Sequence, residues 1–331
     1  KNLKEINKEV HTLNNEEGEV SKGIYPHYML KEINEEPNLI RNNIYMNLDD
    51  IPDISKYKNI YIVACGSAYH AGLVGSYLFN EYDNKDVFCY TASEFRYRKI
   101  VNVKDTLVIL ISQSGETADT LASLRMAKEA GIKTLAIVNV MNSSIAREAD
   151  MVIYTHAGRE IAVATTKAYL MQVYYLGLLA IKASNINYED ILDDYYNLPT
   201  YMDKLINYDY SEIAKKLYTS KDIFYLGRNV DYALSLEGSL KLKEISYISS
   251  VAYPAGELKH GTISLIEENT PVISVITKAE ILDKTISNIK EVIARGAMSI
   301  IIAKEDYNIS SECYNEIVRL PNIHPILMPI L

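Results

Sequence analysis

An α/β protein built from two tandem, open and mostly parallel sheets flanked by helices is what this 331-residue sequence predicts, on three observations. Short apolar runs alternate with helical patterns, which specifies parallel strands joined by right-handed crossovers. The same order of segments returns after about residue 212: Gly227 follows Gly66 by 161 residues, Val272 follows Val108 by 164, and Gly296 follows Gly131 by 165. A hydroxyl-rich turn, Ser112-Gln113-Ser114-Gly115-Glu116-Thr117, joins one apolar run directly to a helical segment. A near-constant offset is the mark of two copies of one open α/β unit rather than one large sheet.

The elements follow in order. Residues 1–22 are charged and rich in Asn, and Asn14 to Glu19 has the composition of a solvated linker, so the globular part starts near Gly23. Tyr28 to Ile33 reads as a helix stopped by Pro37, with the next helix from Asn38 to Tyr45. Asn59 to Ala64, Leu107 to Ile111 and Thr134 to Val140 read as strands, with helices near 68–82, 117–130 and 143–149. Val87 to Thr91 adds a shorter strand, and an apolar helix from Ala162 to Ala183 covers one face. In the second copy Ile223 to Gly227, Thr270 to Val275 and Gly296 to Ile301 repeat the pattern. The chain therefore divides into a first domain over 23–200 and a second over 201–331.

The turn predicts an anion site. The first N–H groups of a helix have no intrahelical partners and its dipole favours negative charge, so Ser112, Ser114 and Thr117 add hydroxyl donors around a phosphate. Hydrogen bonds to a charged group are worth about 1.5–3 kcal/mol each, against association costs of about 4–15 kcal/mol. The expected affinity for a phosphorylated small molecule is micromolar to millimolar, with the rest of the ligand supplying specificity. Helix capping alone would also explain the Ser and Thr residues. In the second copy the corresponding stretch is Thr277-Lys278-Ala279-Glu280, without the glycine or the paired serines, so binding and chemistry are divided between the copies.

Chemistry falls to the second copy. Its first helix carries Glu237, Lys241 and Glu244 at i, i+4 and i+7, on one face, where a carboxylate beside an ammonium can move protons. An exposed ion pair worth about 0.3–0.5 kcal/mol is the plain alternative for that spacing. Tyr253 to Gly261 contains two glycines and a proline, an irregular loop in which the imidazole of His260 can serve as acid and base. His11, His27, His70, His156 and His324 have no such setting and read as structural or solvated.

Composition excludes several classes. A net charge of −9 argues against a nucleic-acid surface, and 48% hydrophobic with 23% charged residues is that of an ordinary globular chain. Cys65, Cys89 and Cys313 are odd in number and widely spaced, which suggests neither a disulfide framework nor a zinc site but buried thiols in a reducing compartment. No apolar run approaches the ~18 residues needed to span a bilayer, so the expected location is cytoplasmic. No metal or cofactor is expected.

The segments CGSAYHAG (65–72), ASEFRYR (92–98), SQSGETADTL (112–121), VATTKAY (163–169), EGSLKLKEISYI (237–248) and AYPAGELKHG (252–261), with KGIYPHYMLKEINEEP at 22–37, resemble the isomerase half of the glutamine–fructose-6-phosphate aminotransferase (glucosamine-6-phosphate synthase) family. The resemblance implies a tandem SIS-type fold of doubly wound, flavodoxin-like three-layer units. It implies that Ser112, Gln113, Ser114 and Thr117 bind a sugar phosphate and that Ser67, Val163 and Thr165 line the sugar. It further implies that Glu244 moves a proton between C1 and C2, that Lys241 assists at the neighbouring hydroxyl, and that His260 opens the ring from the other subunit of a homodimer. In the intact enzyme, ammonia from glutamine and fructose 6-phosphate would give glucosamine 6-phosphate, the first step of hexosamine synthesis. The family's Thr-Ser after Cys-Gly is Ser67-Ala68 here, and Thr165 stands where Ser is common. The family's glutaminase domain would precede Lys1 and its imine-forming lysine tail would follow Leu331, so this chain is expected not to hydrolyse glutamine. A deglycase or another aldose–ketose isomerase on the same fold, and a non-enzymatic phosphosugar-binding regulator, are the alternatives.

Overall fold

The computed structural model describes residues 21–44, 48–83, 85–100, 103–184 and 186–331. The expected linker lies outside them except for its last two residues, as does His11. The first half runs α1 (Tyr28–Asn43), β1 (Asn59–Ala64), α2 (Ser67–Tyr82), β2 (Val87–Thr91), α3 (Ala92–Phe95), β3 (Thr106–Ser112), α4 (Ala118–Glu129), β4 (Lys133–Val138), α5 (Ser144–Glu148), β5 (Met151–Tyr154) and α6 (Lys167–Ala183). Two connecting helices, α7 (Leu192–Ile206) and α8 (Ser211–Leu217), lead to β6 (Asp222–Gly227), α9 (Val230–Ser246), β7 (Ser249–Pro254), β8 (Pro271–Ile276), α10 (Leu282–Ile293), β9 (Met298–Lys304) and β10 (Glu316–Leu320).

The two tandem parallel sheets are present. The first has the order β2-β1-β3-β4-β5 and the second β7-β6-β8-β9-β10, with every pairing parallel. Counted within its own copy, each sheet is 2-1-3-4-5, and the winding direction reverses between strands 1 and 3. At that reversal the adjoining helices diverge to opposite faces and leave a crevice at the carboxyl ends of the strands, the usual ligand position in such sheets. The strand β3 is buried over all seven residues, and apolar over the five between Thr106 and Ser112, because helices cover both faces. The strands β5, β7 and β10 do not stand out in the sequence: β5 has four residues, and β7 and β10 are edge strands carrying Ser, Pro, Glu and Arg among their apolar positions.

Helix α6 has 14 buried residues out of 17 and lies at the centre of a core that also takes in β1, β3, α2 and the closing segment from Ile323 to Ile330. It begins at Lys167 rather than at Ala162. The Glu32 carboxylate accepts the N–H groups of Ile161 (2.6 Å) and Ala162 (3.1 Å), and Glu160 accepts the Thr165 hydroxyl (2.6 Å) and the Thr166 N–H (2.8 Å), so the backbone of 160–166 is held irregular. Pro37 does not stop α1, which continues to Asn43. Its cost is one lost donor and a local clash, about 3 kcal/mol, which is offset by burial of Pro37 and Ile40 against α6 and α7. Tyr174 donates to Asn43 O and pairs with Tyr195, and Tyr175 donates to Asn43 Oδ1, which fastens α1, α6 and α7 together.

One face of α1 is acidic, with Glu32 buried and Glu35 and Glu36 half-buried. Burial, with Glu160 adding and Lys167 opposing, pushes the Glu36 carboxyl up to about 8. The folded protein then binds a proton that the unfolded chain releases near its ordinary value of 4.5, so stability from this group is present below that value and lost as pH rises toward 8. Glu36→Gln should remove this slope and raise stability at pH 8 by roughly 1–3 kcal/mol. Denaturant melts of both proteins at pH 5 and pH 8 check this, and the gain should be far smaller at pH 5.

Candidate functional site

Two cavities meet at Thr165. The first, of about 320 Å³, sits in the crevice of the first sheet between the ends of β1 and β3. Ser67, Ser112, Gln113, Ser114, Thr117 and Val163 line it together with Thr165, so the sequence-expected turn and loop residues gather around one space. The sequence forms this wall because β3 ends at Ser112 and Gly115 takes φ +66, a left-handed conformation that turns the chain back into α4. Gly115 O accepts the Ile145 N–H at 3.0 Å and Glu116 Oε1 accepts the Ser144 N–H at 2.6 Å, which ties the turn to the start of α5.

The hydroxyls are not spent on capping. Thr117 is the N-cap of α4, yet its side chain accepts nothing from the helix; it pairs instead with Ser112 Oγ at 3.0 Å. Ser112 Oγ accepts the Gly115 N–H (3.0 Å) and Ser114 Oγ accepts the Glu116 N–H (3.2 Å); one O–H is used within the Ser112–Thr117 pair, which leaves the other O–H of that pair and that of Ser114 to donate. Helix α2 also starts at this cavity without a side-chain cap, behind Gly66 at φ 58 and ψ −133. By contrast, the start of α6 is satisfied by the Glu160 carboxylate. Two uncapped helix N-termini and a ring of hydroxyl donors make a space suited to an oxyanion.

The second cavity, of about 330 Å³, lies between the two copies and is mostly apolar. Glu36, Tyr169, Glu237 and Lys241 are among its polar lining residues. Lys241 Nζ is 2.6 Å from Glu244 Oε2 and 3.4 Å from Glu237 Oε1, so the expected one-face arrangement on α9 exists as a linked trio. Glu237 is buried and Glu244 is exposed. The Tyr169 hydroxyl is buried without a protein partner, and burial with the nearby Glu237 holds it protonated well above the usual tyrosine range. His260 lies in the turn after β7, exposed, and lines neither cavity. Glu244 also lies outside both linings, one turn beyond Lys241.

Several contributors escape sequence reading. Glu160 and Gln172 line the first cavity and Glu36 and Tyr169 the second. Glu160 had a signal, a carboxylate shortly before a long apolar helix where it can accept the first N–H groups. His70 had none: its Nδ1 is 2.7 Å from Glu237 Oε2, a residue 167 positions away in the other copy. Among the described residues no cluster of His, Cys, Asp and Glu has the arrangement of a metal site, and no helix is long and apolar enough to cross a membrane.

The profile of the SIS domain matches residues 53–182 and 216–326. The chain is 46% identical to a glutamine–fructose-6-phosphate aminotransferase (isomerizing) of Clostridium tetani, over 99% of this chain and 57% of that protein, so it spans little more than half the length of that curated relative. Among solved structures it is similar to the C-terminal domain of glucosamine-fructose-6-phosphate aminotransferase from Francisella tularensis, with a TM-score of 0.82 and 36% identity over 94% of this chain and 93% of that one. Glucosamine-6-phosphate deaminase from Thermotoga maritima is similar at a TM-score of 0.69 and 25% identity, over 88% of each chain.

The turn at Gly115 is the local feature on which the first cavity depends. A Cβ there would overlap Ser143 Oγ in a backbone conformation that side chains rarely adopt. Gly115→Ala should lower stability by about 1–3 kcal/mol and shift the denaturant midpoint accordingly. Gly131→Ala, at φ +76 with open space around its Cβ, should cost less.

Proposed function

We propose, because the chain belongs to the SIS-domain family and within it to the C-terminal, isomerase half of glutamine–fructose-6-phosphate aminotransferases, that it binds fructose 6-phosphate and carries the ketose-to-aldose step of glucosamine 6-phosphate synthesis. The observation that carries this reading is the shared wall at Thr165. A ring of hydroxyl donors suited to a phosphate opens beside an apolar space that holds Glu237 and Lys241, with Glu244 paired to Lys241 one turn outside it.

In this reading Ser112, Gln113, Ser114 and Thr117 hold the phosphate, and Ser67, Val163 and Thr165 hold the sugar chain. The domain over 23–200 binds and the domain over 201–331 supplies the chemistry. Once ammonia has formed the C2 imine, Glu244 takes a proton from C1. The C1–H electron pair becomes the C1–C2 double bond of an enolamine as the imine nitrogen gains a proton. Return of the proton to C2, with the O1 hydrogen released to water while the Lys241 ammonium donates to the neighbouring oxygen, gives the C1 aldehyde and the C2 amine. The Lys241 ammonium, 2.6 Å from Glu244 Oε2, holds that carboxylate near the transferred proton. His260, exposed and away from both cavities of its own chain, is assigned to ring opening in the partner subunit of a homodimer in the cytoplasm. Supply of ammonia from glutamine belongs to the longer relatives and is proposed for the protein only as a whole.

Two variants test the division of roles. Ser114→Ala should weaken fructose 6-phosphate by about ten-fold, the worth of one hydrogen bond to a charged group, and leave any binding of unphosphorylated fructose unchanged; equal losses for both ligands contradict the phosphate assignment. Glu244→Gln should abolish deuterium exchange at the C1 position of fructose 6-phosphate in heavy water while leaving affinity within a few-fold. Exchange at the unaltered rate removes Glu244 from the role.

A further inference from the structure

His70 lies one turn into α2, three residues after Ser67, so the same helix supports the first cavity and reaches the second copy. Its ring Nδ1 is 2.7 Å from Glu237 Oε2, and both side chains are largely buried, at 14% and 7% exposure. An ionised carboxylate only accepts, so Nδ1 carries the hydrogen in this bond. The other Glu237 oxygen, Oε1, is buried without a hydrogen bond and lies 3.4 Å from Lys241 Nζ.

The choice made by Lys241 is what needs explaining. Its ammonium sits at 2.6 Å from Glu244, whose side chain is 34% exposed, and only at 3.4 Å from the far more buried Glu237. A buried carboxylate gains most from a cation, because leaving it uncompensated costs several kcal/mol while an exposed pair is worth at most ~1 kcal/mol. Lys241 would therefore settle on Glu237 unless another group already satisfied that carboxylate. The donor that does so is His70, and Tyr169 of α6, the other polar side chain beside Glu237, makes no hydrogen bond to it.

We propose that His70 is a positioning residue of the proton-transfer machinery: it holds the Glu237 carboxylate across the copies and so leaves Lys241 to pair with Glu244. Because its helix also forms the wall at Ser67, His70 couples the sugar-binding copy to the helix that moves the proton. The proposal rests on the functional reading above, and its test separates the two.

The experiment compares the unaltered full-length protein with His70→Ala, His70→Asn, Glu237→Gln and the double variant His70→Ala/Glu237→Gln. Each is measured for calorimetric affinity toward fructose 6-phosphate and for the rate of deuterium exchange into it. His70→Ala should lower the exchange rate by about 10–100-fold, the scale of a misplaced catalytic group, with affinity within three-fold. His70→Asn places an N–H near the position of Nδ1 and should restore most of the rate. In the Glu237→Gln background, loss of His70 should add little, since residues acting through one contact are not additive. His70→Phe, which keeps the bulk and lacks the nitrogen, carries the same expectation should the alanine variant not fold. Unaltered exchange in a folded His70→Ala or His70→Phe protein overturns the proposal, as does an undiminished effect in the Glu237→Gln background. Absence of binding and exchange in the unaltered protein overturns the functional reading, and the proposal with it.

Discussion

The packing of the first helix of one copy against the first helix of the other, α2 on α9, is the constraint on which the rest of the molecule depends. Each of these helices follows strand 1 of its sheet and therefore starts at that sheet's crevice. Laid against one another, they set the hydroxyl-lined cavity beside the Glu237–Lys241–Glu244 face at a fixed separation. Polar contacts join the copies near both ends of α2: His70 to Glu237 of α9 at 2.7 Å near the cavities, and Glu81 to Lys278 Nζ, in the segment after β8, at 2.5 Å near the end of α2. Burial keeps the His70–Glu237 contact away from competing water, so its geometry is specific even where its net contribution to stability is small, whereas Glu81 at the other end is exposed.

The two copies share a backbone plan and have diverged in what occupies it. Asn229, before α9, has φ 57 and ψ −132, nearly the values of Gly66 before α2, so the approach to the crevice is the same in both. In the first copy the crevice is an open cavity with hydroxyl donors. In the second, the fully buried Asp231 carboxylate accepts from the Thr277 N–H at 3.0 Å and from its hydroxyl, and Lys278 lies beside it in sequence. An internal anion thus takes the donors that in the first copy face the cavity. Burial outweighs these donors and pushes the Asp231 carboxyl up to about 7.

Much of this was legible in the sequence because its signals are local or periodic. The strand runs, the repeat offset, the Ser112–Thr117 turn and the one-face spacing on α9 all depend on neighbours within a few residues or on a constant shift. What was not legible depends on distant packing. The continuity of α1 through Pro37 reflects burial against α6 and α7, which no local propensity reports. The late start of α6 reflects two carboxylates, one of them on α1, that hold residues 160–166 in irregular form. His70 appeared structural or solvated because its partner is 167 residues away. The short edge strands β5, β7 and β10 carry too few apolar residues to announce themselves, and they form because a neighbouring strand offers its hydrogen bonds.

The central claim is that the crevice between β1 and β3 is a phosphosugar site facing a proton-transfer helix. Titration calorimetry of the unaltered protein with fructose 6-phosphate, and with unphosphorylated fructose as the control, tests it most directly. The account predicts saturable binding of the phosphosugar in the micromolar to millimolar range, with no measurable binding of fructose. Equal binding of the two sugars, or none of the phosphosugar at several millimolar, would contradict it.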